Sequence, residues 1–113
     1  MPYLKIFHDD AIFPPVQPLN LPEGSKKWLE AVYNELNCRW IETAPTILRG
    51  IVLVVDEEGK MKDGWETRVN AIATKLYGNP FDEITGDAIL CRVKGDYLAP
   101  LTDEQATYIL DHI

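Results

Sequence analysis

The spacing of apolar and polar positions changes period several times along the chain, and each change marks an element boundary. Residues 3–8 alternate loosely and are rich in aromatic and branched side chains, which predicts a first strand. Trp28, Leu29, Val32, Tyr33 and Leu36 then fall on one helical stripe, with Ser25 ahead of them as a cap and Asn37 closing the pattern. Residues 38–43 read as extended and Ala44-Pro45 as an interruption. The run 47–55, apolar except for Arg49 and Gly50, reads as a central strand buried on both faces.

Asp56-Glu57-Glu58-Gly59-Lys60 is a turn whose glycine can take the positive φ of a hairpin or bulge. Helical periodicity returns over residues 63–77. Asp63 and Glu66 resemble a capping box, Trp65, Val69, Ile72, Ala73 and Leu76 share a face, and Gly78-Asn79-Pro80 ends it. A short strand at 67–69 is the competing reading. Residues 87–93 form a strand that returns through Lys94-Gly95-Asp96 to Tyr97-Leu98. Thr102 and Gln105 make a further capping box, ahead of a stripe of Ala106, Ile109, Leu110 and Ile113. This order predicts an α+β fold, a mostly antiparallel sheet with two or three helices packed on it.

The 113 residues suit a single domain, with the proline-rich stretch at about 13–22 as a surface arm. Eleven basic against 18 acidic residues give a formal charge of −7, which disfavours nucleic acid as a partner. A few arginines in a partly desolvated pocket can still hold a small anion whatever the total charge. The acidic surface also suits a basic protein face. No run approaches a membrane span, and the first residues lack a charged leader, so a cytoplasmic location is expected. Cys38 and Cys91 form no C-x-x-C pair and read as buried small hydrophobes.

Catalytic chemistry finds no obvious carrier. His8-Asp9-Asp10 ends a strand, where neighbouring side chains diverge, so a solvated strand end is favoured over a metal site. The carboxylates of Asp56, Glu57 and Glu58 read as solvated turn residues, and Ser25 is the one serine. The seven glycines are scattered and form no phosphate loop, so no cofactor is expected. Arg49, Arg68 and Arg92 stand in or beside apolar elements and must find a carboxylate, solvent or a ligand. Trp65, Tyr77 and Phe81, beside Asn70 and Thr74, either fill the core or stack on a planar base.

Ile51 to Val55, Glu57-Glu58-Gly59-Lys60, Asn70-Ala71-Ile72-Ala73-Thr74, Gly86-Asp87 and Leu101-Thr102-Asp103-Glu104-Gln105 follow one another in a fixed succession. In that succession the chain resembles a small domain of unknown function widespread in phages, plasmids and actinobacterial mobile elements. More distantly it is similar to anti-Thoeris phage proteins, non-enzymatic oligomers that sequester cyclic nucleotide signals. The resemblance implies a homodimer or larger assembly without catalytic residues. It implies a cyclic-nucleotide-like ligand held by Arg49, Arg68, Asn70 and Arg92 and stacked by Trp65, Tyr77 or Phe81.

Overall fold

A computed structural model describes residues 2–62 and 68–113. Six strands form one antiparallel sheet: β1 (Tyr3–Ile6), β2 (Val16–Leu19), β3 (Ile41–Pro45), β4 (Ile51–Asp56), β5 (Ala88–Lys94) and β6 (Tyr97–Ala99). The order across the sheet is β2-β1-β5-β4-β3, and β6 pairs with the second half of β5. β1 and β6 share one side of β5: Leu4 faces Leu90, Arg92 faces Ala99, and the Leu101 N–H donates to the Pro2 carbonyl at 2.9 Å.

Three helices, α1 (Ser25–Leu36), α2 (Ala71–Tyr77) and α3 (Asp103–His112), cover both faces of the sheet. The period of two along the strands decides which face each apolar residue serves. Tyr3, Val54, Ile89 and Cys91 pack with Val32 and Leu36 of α1. Leu4, Ile6, Leu53 and Leu90 pack with Ala73 and Leu76 of α2, Leu101, and Ala106 and Ile109 of α3. Removing one such leucine or isoleucine from water contributes about 1.5–3 kcal/mol, so two packed faces stabilise a chain of this size.

Several predicted boundaries shift for local reasons. The proline-rich arm is an edge strand: residues 16–19 pair with β1, and Pro15 accepts a bond from Phe7 N–H at 2.8 Å. Pro18 within it is tolerated because an edge strand needs donors on one side only. Gly24, at φ 92, is the N-cap of α1, and Ser25 is its first residue; no side chain caps this end. The strand predicted from residue 47 begins at Ile51, because Thr46 Oγ1 bonds Leu48 and Ile51 and Gly50, at φ 75, turns the chain. It is an interior strand, between β3 and β5, while the middle of the order is held by β5. Ala44-Pro45 completes β3 instead of interrupting it, with Pro45 opposite Val52 at the sheet edge.

The 56–60 turn runs into a 3₁₀ turn at Gly59–Met61, with no positive φ at Gly59. The proposed cap at Asp63 and Glu66 lies outside the described residues. The helix there starts at Ala71, capped by Asn70, while Val69 forms a bridge with Thr85 that agrees with the competing strand. Gly78 ends α2 at φ 73, and the Thr102–Gln105 capping box of α3 is formed by both side chains. The apolar stripe of α3 is narrower than its pattern: Leu110 and Ile113 are 42% and 47% exposed.

Candidate functional site

Asn70 joins the start of α2, the end of β1 and the loop before β5 at one end of the sheet, while Leu101, which opens the last motif segment, bonds Pro2 at the other. The Asn70 side chain is 1% exposed. Oδ1 accepts the Ala73 N–H at 3.1 Å and caps α2. Nδ2 donates to the Ile6 carbonyl at 3.0 Å and to the Gly86 carbonyl at 2.9 Å. Both donors and the carbonyl oxygen therefore serve the fold. The expected ligand contact at Asn70 is corrected to a structural one, since a buried amide already bonded on both atoms has nothing to offer a ligand.

Around Asn70 the loop before β5 is tied down residue by residue. Asn70 N–H donates to Ile84 O at 2.8 Å, Gly86 N–H donates to Arg68 O at 2.9 Å, and the Thr74 hydroxyl accepts from Ile84 N–H at 2.9 Å. The 3₁₀ turn presses against this loop: a Cβ on Gly59 would stand 2.9 Å from Thr85 Oγ1. Close approach, and not a left-handed backbone, is why glycine stands there.

Asp87 follows Gly86 and collects cationic and N–H groups from β1. His8 contributes its backbone N–H at 3.0 Å and its ring Nδ1 at 2.6 Å, and Lys5 Nζ lies 3.7 Å away. Lys5 also pairs with Glu35 of α1 at 3.0 Å and sits 4.7 Å from the centre of the Phe7 ring. His8 therefore works across the sheet with Asp87, not with Asp9 and Asp10. Sequence spacing hid that pair, because 79 residues separate its members. A small hollow of about 90 Å³ beside it is lined by His8, Asp87, Gly86, Gly59, Asp56 and Lys62, among others. Among the described residues no three His, Cys, Asp or Glu side chains are grouped to hold a metal ion.

Outside the hollow, the 3₁₀ turn and the 80–85 loop enclose an open groove of about 550 Å³ lined by Lys60, Lys62, Pro80, Phe81, Asp82, Glu83 and Thr85. Phe81 is 95% exposed. Lys60 pairs with Asp82, and Lys62 pairs with Asp56 at 2.7 Å and donates to Asn37 O at 2.8 Å. Tyr77 lies behind this loop, its hydroxyl 3.4 Å from Asp82 Oδ2.

The predicted arginines do not meet. Arg68 is exposed beside Thr85, through the Val69 bridge and the Gly86 N–H. Arg92 lies at the far end of β5, with Nε donating to Pro100 O at 3.0 Å, and its strand partner is Ile51. Arg49 is exposed in the turn before β4, next to Gly50, whose carbonyl accepts the Val93 N–H. About 15 Å of strand separates Arg68 from the other two, and Arg49 is corrected from a core-strand to a turn position. Trp65 lies outside the described residues. Of the expected set, Phe81 stands in the groove, Arg68 stands next to it, and Tyr77 stands behind it. Lys60 and Lys62, which line the groove, were not among the expected residues; their closeness in sequence to the glycine turn was the available signal.

The environment of both thiols disfavours the thiolate. Burial pushes Cys91 up to about 12, and burial followed by the Asp56 charge pushes Cys38 up to about 11.

An antiparallel sheet with helices on both faces and a tied, motif-bearing end defines an α+β domain. Residues 12–113 match the family model described as Domain of unknown function (DUF3846), and the chain belongs to that family. No curated protein and no solved structure matches the chain. Among the described residues no helix is long and apolar enough to cross a membrane.

Proposed function

We propose that this protein is a non-enzymatic binding protein that sequesters a small, planar, anionic ligand of nucleotide type in the groove between Lys60 and Phe81. The observation that carries the reading is the Phe81 ring, 95% exposed in a groove that Lys60 and Lys62 also line. An aromatic face stacks on a base, and ammonium groups meet phosphate. The volume, about 550 Å³, lies in the ordinary range of small-molecule sites. Both lysines already have carboxylate partners. Lys60 and Asp82 are more than a third exposed, and such surface pairs are worth only about 0–1 kcal/mol, so an incoming phosphate can replace Asp82 at little cost. The resemblance of the motif succession to the mobile-element family supports a phage or mobile-element accessory role with a cyclic nucleotide signal as ligand. It also supports a homodimer or larger oligomer in the host cytoplasm. Sequestration requires affinity alone, which accords with a site built from a ring and two ammonium groups.

The test is native mass spectrometry and calorimetry of the full chain with cyclic AMP and cyclic di-AMP as probes, at low and moderate salt. Binding of intact ligand is expected, weakened on the order of tenfold by Phe81→Ala or Lys60→Glu. Recovery of hydrolysed ligand would show an enzyme, and absence of binding to either probe rejects the nucleotide reading.

One observation favours a second reading, an acidic inhibitor or adaptor that binds a host protein. Among the described residues β3 pairs only with β4, and the groove along it is lined by five carboxylates, Glu42, Asp56, Glu57, Asp82 and Glu83, against the single cation Lys60. A basic extended segment suits such an edge. Salt-sensitive capture of a basic peptide, abolished by Thr43→Pro, is the outcome that would select it.

A further inference from the structure

At the other end of the sheet, on the face that carries α1, a second cleft of about 550 Å³ opens between the chain leading into α1 and the β5–β6 hairpin. Tyr3 and Trp28 line it. The indole Nε1 donates to Tyr3 Oη at 3.0 Å, and the ring centres lie 6.4 Å apart at an inclination of 53°. Tyr97, 77% exposed, adds a third ring from the hairpin. The charged residues that line this cleft are Glu23 and Asp96.

We infer that this cleft is a binding site for a small organic cation, a protonated amine carried on an aromatic or aliphatic frame. Aromatic faces carry negative quadrupole density, and a cation over indole or phenol is attracted by it. Two carboxylates add full negative charges for the ammonium. The one N–H of the Trp28 indole is engaged by Tyr3, so what the indole retains for a ligand is its ring.

The opposing influence is the start of α1, where Gly24 and Ser25 line the cleft and no side chain caps the helix. A helix end is equivalent to roughly half a positive charge, which two carboxylates outweigh. Lys26, Lys27 and Lys94 are exposed and do not line the cleft, and Arg92 stands at its margin, bonded to the carbonyl of the lining Pro100 and felt by Tyr3, one guanidinium against two carboxylates. The site shares no residue with the Lys60 groove, so either reading can fail without the other.

The test titrates the full ¹⁵N-labelled chain with phenethylammonium chloride, following the Trp28 indole N–H signal assigned by comparison with Trp28→Phe. Neutral 2-phenylethanol and anionic phenylacetate serve as matched probes. A saturable shift with the ammonium is expected, with affinity on the order of tenfold weaker for the alcohol. The Glu23→Gln/Asp96→Asn variant, altered at two exposed loop positions and checked for fold by circular dichroism, should weaken the ammonium similarly, and Phe81→Ala should leave it unchanged. Phenylacetate binding as tightly as the ammonium would overturn the inference in favour of an anion at the start of α1. A Trp28 signal unmoved by about 10 mM ammonium, a concentration beyond any specific affinity of interest, would overturn it outright.

Discussion

Asn70 concentrates more of the fold than any other polar side chain described. It caps α2, holds the end of β1 through Ile6 and fixes the loop through Gly86. Truncation to alanine removes the cap and leaves two buried or half-buried carbonyls without their donor. A cap is worth about 1 kcal/mol and an unsatisfied buried group about 1–3 kcal/mol. Asn70→Ala should therefore lower the unfolding free energy by about 3 kcal/mol, measured by urea denaturation, a large share of the 5–15 kcal/mol typical of such domains. A ligand-contacting asparagine at the surface would leave that stability nearly unchanged, so the experiment separates the two roles. The sequence carried the residue but not its role: N-x-x-A-T marks a helix start as well as a ligand contact. The decisive partners, Ile6 and Gly86, lie 64 and 16 positions away.

Among the described α-helices α2 is the shortest, and its ends are set by single residues. Gly78 terminates it at φ 73, where an added Cβ would collide with Ile47 Cγ2. A non-glycine residue in this backbone region costs roughly 1–2 kcal/mol before any clash. Gly78→Ala should destabilise by at least that amount in denaturant titration, and less in an Ile47→Ala background, where the contact is absent. Both helix ends that depend on local chemistry, Gly78 here and Thr102 with Gln105 on α3, were legible in the sequence because a cap is a short-range event. Strand limits were less legible. β4 starts four residues later than its apolar run because the Thr46 hydroxyl and Gly50 shape a turn from apolar residues, which periodicity reads as strand.

For the whole molecule, three titrations that couple to folding lie on the alkaline side. Cys91 rises from 9.0 to about 12 and Cys38 from 9.0 to about 11, and burial also raises Tyr3 above 10.0. Each group is an anion once deprotonated. Above pH 9 the unfolded chain has released thiol protons that the folded chain still holds. Their stabilising contribution is thus complete below pH 9 and is lost as pH climbs through the folded values. For the buried Cys91 the slope is about 1.4 kcal/mol per pH unit across that window. Urea midpoints should fall between pH 9 and 11 in the native chain and fall less steeply in Cys91→Ala. An equal slope in both would remove Cys91 as the cause.

The sequence by itself determined the class of fold, the apolar stripe of α1, the capping box of α3 and the apolar character of the inner strands, because these depend on periodicity and on contacts within a few residues. It also carried the match to the family of unknown function over residues 12–113. Tertiary structure alone decided that β5 and not β4 is central, that the proline-rich stretch closes one sheet edge, and that helices occupy both faces. It alone paired His8 with Asp87, parted Arg68 from Arg49 and Arg92, and set Phe81 beside two lysines. The physical reason is one of range. Strand order and convergence of side chains are set by pairings between distant residues, whose identities a local pattern does not specify.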